Sequence, residues 1–117
     1  TDNNTIILDA YNANPSSMDA TLKSFTKQKF KNKLCILGDM LELGKASFNH
    51  HKLILELTEK LNLPTIFIGK EFKKVVQSSY ERNEEFIKKI IKNPIKNKSI
   101  LLKGSRGISL EKLVEYL

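Results

Sequence analysis

Three short polar stretches hold the residues able to do chemistry, and each follows an apolar run. Asp9-Ala10-Tyr11-Asn12-Ala13-Asn14-Pro15 follows residues 5–8, Gly38-Asp39-Met40-Leu41-Glu42-Leu43-Gly44 follows residues 34–37, and Lys103-Gly104-Ser105-Arg106-Gly107 follows residues 99–102. Asp9 repels a phosphate, but its two acceptor oxygens suit a ribose diol. Asn12 and Asn14 add donors and acceptors, and Tyr11 offers a flat ring for a base. The same residues also make a plain turn, with Asp9 and the asparagines bonding their own backbone. In the third stretch, Lys103 and Arg106 can grip a carboxylate or phosphate, Arg106 bidentately, and Ser105 can hydrogen-bond the same group. This is not a Walker loop, because the lysine precedes the glycine. Asp39 either adds a second carboxylate beside Asp9 or belongs to a glycine-bracketed loop that Met40, Leu41 and Leu43 pack down; Glu42 is open in the same way.

The elements that must position these residues are legible as alternating patterns. Residues 5–8, 34–37, 65–68 and 99–102 are short, apolar and rich in β-branched types, as strands buried on both faces are. Residues 78–80 are a candidate for a brief fifth strand at an edge. Between them lie helical patterns. Residues 16–31 place Met18, Leu22, Phe25 and Phe30 on one face, with Asn14 able to cap and Pro15 to occupy the first turn. Residues 47–61 space Leu53, Leu57 and Leu61 four apart. Residues 71–77 fit a shorter helix, 83–92 carry Phe86, Ile87, Ile90 and Ile91 on one side, and 108–117 form a last helix. The alternation predicts an α/β domain: a three-layer, Rossmann-like open sheet, mostly parallel, with helices on both faces. The three polar stretches then gather on the carboxyl edge of the sheet, where ligands bind in such folds and helix amino ends favour anions.

The 117 residues suffice for one domain, and 40% hydrophobic content supports a packed core. No apolar run reaches membrane-spanning length. The single Cys35 lies in an apolar run, reads as a small core residue, and fits a reducing cytoplasm. The net charge of +7 raises nucleic acid as a partner. However, the lysines are spread over nearly every predicted helix with little aromatic interleaving, and only Lys103 and Arg106 sit in a motif, so no nucleic-acid stripe is expected. His50 and His51 are adjacent on a helix and point in different directions, so they cannot chelate one metal together. His51 reads as a packing or capping group.

The first stretch resembles the Asp-x-Tyr-x-(His/Asn)-x-Pro signature that opens the C-terminal domain of the Mur ligases, ATP-dependent amide-forming enzymes of peptidoglycan synthesis. The Leu-Gly-Asp-Met-Leu-Glu-Leu-Gly loop and the Lys-Gly-Ser-Arg ending resemble the family member that adds D-alanyl-D-alanine to UDP-MurNAc-tripeptide. A sister ligase adding the third amino acid, which has a Gly-Cys-Gly-Gly-Asp-Arg-like loop at 39–44, is the near alternative. A stand-alone basic module for nucleotides or nucleic acid is the distant one.

The resemblance implies a C-terminal domain whose partners would include a central ATPase domain in cis, with a further N-terminal UDP-sugar domain, both expected outside this chain. It implies ATP and Mg2+ as cofactors of the complete enzyme. By position, Asp9 would hold the ribose, with Tyr11, Asn12 and Asn14 near the nucleotide. Lys103, Ser105 and Arg106 would lie nearer the dipeptide or the phosphates, with Asp39 also in the substrate set. No residue here is expected to be catalytic. Asn12 stands where the family often has His, so no titrating role is assigned to it. The domain alone is expected to be inactive and to bind nucleotide weakly.

Overall fold

The computed structural model describes residues 3–117. The strands are β1 (Thr5–Asp9), β2 (Lys33–Gly38), β3 (Thr65–Ile68) and β4 (Ser99–Lys103). They form one sheet in the order β1-β4-β2-β3, and every pairing is parallel. The expected architecture is therefore present, with the sheet wholly rather than mostly parallel. The fifth strand shrinks to a single bridge between Tyr80 and Ile68.

The pleat sends alternate residues to two separate cores. Cys35, Leu37, Phe67 and Leu101 face one side. There they meet α1 (Pro15–Lys27), α2 (Ser47–Lys60) and α3 (Lys70–Lys73) through Met18, Leu22, Phe25, Ile54 and Phe72. Ile36, Ile68, Ile100 and Leu102 face the other side, against Phe86 and Ile90 of α4 (Asn83–Lys92) and Leu110, Leu113 and Leu117 of the carboxyl-terminal segment. Burial pushes the Cys35 thiol up to about 12, as suits a core residue remote from solvent.

Helix α1 begins as its sequence dictates. Asn14 accepts the Ser17 N–H at 2.9 Å, Ser17 Oγ accepts the Asn14 N–H at 3.1 Å, and Pro15 occupies the first turn. It ends at Lys27, short of the charged stretch 28–31.

Three expectations need correcting. Helix α2 buries Ser47, His51, Ile54 and Thr58 and leaves Leu53 58% exposed, so its inward face is rotated away from the leucine row. Helix α3 is one turn, not seven residues. The last helix is two 3-10 segments, Arg106–Ile108 and Leu110–Tyr116, divided at Ser109, whose φ of 56° is left-handed and incompatible with a continuous helix.

Candidate functional site

The tips of β1, β2 and β4 lie side by side because the parallel register sets them so. Lys103 pairs with Asp9 on one flank and with Leu37 on the other. The three polar stretches thus share one rim, as expected. Asp9 and Lys103, however, contact each other. Lys103 Nζ lies 2.8 Å from Asp9 Oδ2 and donates to the Asn12 carbonyl at 3.2 Å. The lysine is 2% exposed, whereas the Asp9 side chain is 42% exposed. The buried ammonium thus orients a carboxylate that still presents acceptor surface to solvent.

Beside Asp9, Tyr11 stands 76% exposed, and the Arg106 guanidinium lies 5.5 Å from its ring centre. These residues, with Leu8, Ala10 and Glu111, line an open cleft of about 390 Å³. Asn12 is exposed at the same turn, and Asn14 is exposed with its side-chain oxygen committed to the cap of α1.

Ser105 ties the rim together. Its N–H donates to the Asp39 carbonyl at 3.0 Å, and its Oγ accepts the Leu41 N–H at 2.9 Å and lies 3.4 Å from the Ala13 carbonyl. A residue expected to grip a ligand therefore holds three loops in register. Close approach of the backbones requires small residues here: a Cβ on Gly104 would sit 2.9 Å from Gly38 Cα.

Asp39 turns inward. Its two oxygens accept the N–H groups of Glu71 at 2.8 Å and Phe72 at 2.9 Å, capping α3 from a distant loop. Burial raises its carboxyl, and the two amide bonds only partly offset that. Gly69, with a φ of 136°, passes directly under this carboxylate, and a Cβ there would collide with it. Neighbouring Glu71 is held below the usual carboxylate range by the Ser47 hydroxyl, which donates to it at 2.5 Å, and by Lys74. His51 is buried and packs against this loop as a hydrogen-bond acceptor, not as a ligand directed outward.

The 39–44 loop is one wall of a second cavity of about 560 Å³, at the carboxyl edge of the sheet. The other walls are residues 68–71, 81–84, 107–109 and Lys112. Lys70, Arg82 and Lys112 bring positive charge to it, and Glu42, Glu71, Glu81 and Glu84 bring negative charge. This size and mixed polarity suit a small zwitterion. Sequence reasoning did not single out Lys70, Arg82 or Lys112. Only Lys70 carried a signal, its place directly after the β3 tip. Among the described residues no three His, Cys, Asp or Glu side chains cluster to hold a metal, and no helix is long and apolar enough to cross a membrane.

The similarities to known proteins agree with this geometry. Residues 1–106 match the family model described as Mur ligase, glutamate ligase domain. A UDP-N-acetylmuramoyl-tripeptide--D-alanyl-D-alanine ligase of Buchnera aphidicola subsp. Baizongia pistaciae is 38% identical over 97% of this chain and 26% of its own. A solved MurF structure from Acinetobacter baumannii superposes with a TM-score of 0.71 at 26% identity, covering 91% of this chain and 25% of that one. The MurF ligase of Thermotoga maritima, solved in complex with ADP, shares the fold at a TM-score of 0.65 and 24% identity, over 95% and 27% of the two chains. The chain spans about a quarter of the length of the curated relatives it matches. From its sequence match and from its parallel sheet with three loops on one rim, the chain belongs to the Mur ligase, glutamate ligase domain family.

Proposed function

We propose that this chain is the part of an ATP-dependent ligase that positions nucleotide and amine substrate while D-alanyl-D-alanine is joined to UDP-MurNAc-tripeptide. The observation that carries the reading is the juxtaposition on one rim of an open carboxylate beside an exposed aromatic face and, a few residues away, a cavity of mixed charge. The relatives are named for that ligation, and the Thermotoga maritima ligase holds ADP. In the reaction, a tripeptide carboxylate oxygen takes the γ-phosphoryl group of ATP and ADP leaves. The dipeptide amine then attacks the acyl carbon, losing a proton, and phosphate departs as the amide forms.

The residues of this chain bind and orient. Asp9, steered by Lys103, accepts the ribose hydroxyls. Tyr11 and Arg106 flank the base, with Asn12 and Asn14 at the same turn. Ser105 and Asp39 act through the loops they hold. The 560 Å³ cavity takes the dipeptide, its carboxylate toward Lys70, Arg82 or Lys112 and its amine toward the acidic wall. Holding two reactants in line removes much of a bimolecular barrier. Mg2+ accompanies ATP in the complete enzyme, which works in the cytoplasm; the described residues form no site for the ion, and none of these roles depends on it. The phosphate-gripping ATPase domain is a partner in cis.

The test is a competition assay on the complete polypeptide that carries this chain. Supplied with UDP-MurNAc-tripeptide, ATP, D-alanyl-D-alanine and a diamino acid, it should incorporate the dipeptide and release one phosphate per amide. Incorporation of the diamino acid instead would assign it to a sister ligase. A steeply salt-dependent gel shift with no ligation would assign it to a nucleic-acid module.

A further inference from the structure

His51 is completely buried and has no part in the roles just described. Its ring joins three elements. Nε2 accepts the Met40 N–H at 3.1 Å. Nδ1 lies 2.7 Å from the Ser47 carbonyl oxygen and 3.2 Å from its hydroxyl. The ring stands edge-on to Phe72 with centroids 4.5 Å apart. A nitrogen that accepts an amide N–H carries no proton, so the ring proton is on Nδ1 and is donated to the Ser47 carbonyl. Asp39 Oδ1, at 3.9 Å from Nε2, is beyond hydrogen-bond length and already serves the amides of Glu71 and Phe72.

The imidazole therefore does what a backbone carbonyl does elsewhere: it accepts the amide of the residue that opens the 40–44 loop. A leucine or phenylalanine would fill the same space between α2 and α3 but leave a buried N–H unpaired, and the loop would have to open to hydrate it. The residues after Met40 are the wall of the 560 Å³ cavity.

We propose that His51 is a positioning residue for the amine substrate: through Met40 it fixes the 41–44 wall against which the dipeptide lies. This rests on the reading of the cavity as the dipeptide site.

Two variants of the complete polypeptide test it. In His51→Gln the side-chain oxygen reaches where Nε2 stands and can accept the Met40 N–H. In His51→Asn the side chain ends near Nδ1, keeps Ser47 within reach and cannot serve Met40. His51→Asn should raise the KM for D-alanyl-D-alanine about tenfold and leave the KM for ATP within about twofold. His51→Gln should restore the dipeptide KM to within about threefold of the parent. Amide exchange over residues 40–44 should be faster in His51→Asn than in His51→Gln. Equal dipeptide KM values for the two variants, or parallel increases for both substrates, would overturn the proposal.

If the parent polypeptide ligates nothing, the functional reading fails. The strut is then judged by exchange alone, and unchanged protection of 40–44 in His51→Asn sinks it. If His51→Asn does not fold, long-range 1H–15N spectra of the parent decide. A bare Nε2 and protonated Nδ1 are required, and a proton on Nε2 overturns the assignment.

Discussion

Asp39 shows how one carboxylate can shape a site without facing it. Both oxygens accept amide hydrogens at the start of α3, and no side chain of that one-turn helix caps it locally. Asp39→Ala should strand two donors in a largely buried place and cost roughly 2–3 kcal/mol, read from urea unfolding. A loss under about 0.5 kcal/mol would mean that water replaces the carboxylate at no cost. Glu71 supplies a pH-dependent counterpart. Its native pKa lies below the usual 4.5, first because of the Ser47 hydroxyl and then because of Lys74. The stability it adds is therefore present above 4.5 and is lost as pH falls through the lower native value. Asp39 works in the opposite sense: with its native value raised above 3.8, its contribution falls as pH rises through that value. Glu71→Gln should accordingly lower the melting temperature near pH 7, and the gap to the parent should close as pH is taken down to about 2.5. A constant gap across that range would show that Glu71 contributes as a hydrogen-bonding group and not as a charge.

Among the elements, the four strands were legible in the sequence because each is an unbroken apolar run, and no other local structure buries such a run on both faces. Helix α2 was legible as a helix but not in its phase. Its inward face carries His51 and Thr58, whose polar atoms are paired with Met40, Ser47 and Leu55. A hydrophobic count cannot see a polar residue made inward-facing by its partners, so the leucine row looked like the core face. Ile54→Ala should cost about 2–5 kcal/mol by losing packed volume, whereas Leu53→Ala should stay within about 0.5 kcal/mol. Comparable losses from the two in denaturant titrations would restore the leucine face. The last helix failed for a local reason of another kind: Ser109 is left-handed, and nothing in its type announces that. The rim itself followed from strand order. The Asp9–Lys103 contact did not, because it needs β1 to lie beside β4, a pairing separated by more than ninety residues and set only when the sheet assembles. The cationic walls contributed by Arg82 and Lys112 depend on the same long-range assembly.

At the scale of the whole molecule, the chain offers one side of each binding event and little of the other. Asp9 and Tyr11 can meet a ribose and a base, but the rim has no glycine-rich loop closing on a triphosphate, and the one lysine at the β4 tip is spent on Asp9. The free energy available to ATP is then that of a few exposed polar contacts and one aromatic face, against the cost of immobilising the nucleotide. The purified domain should therefore bind ATP more weakly than micromolar by isothermal titration and release no phosphate above background. Joined to the central domain in one polypeptide, the same contacts become intramolecular and add to affinity through effective concentration, with no new contact within this chain. Asp9→Ala should then weaken ATP binding by the complete polypeptide about tenfold while leaving D-alanyl-D-alanine binding within about twofold, because the cleft and the larger cavity use different residues. Micromolar binding by the domain alone, or equal effects of Asp9→Ala on both ligands, would mean that the rim is a single complete site and not two half-sites waiting for a partner domain.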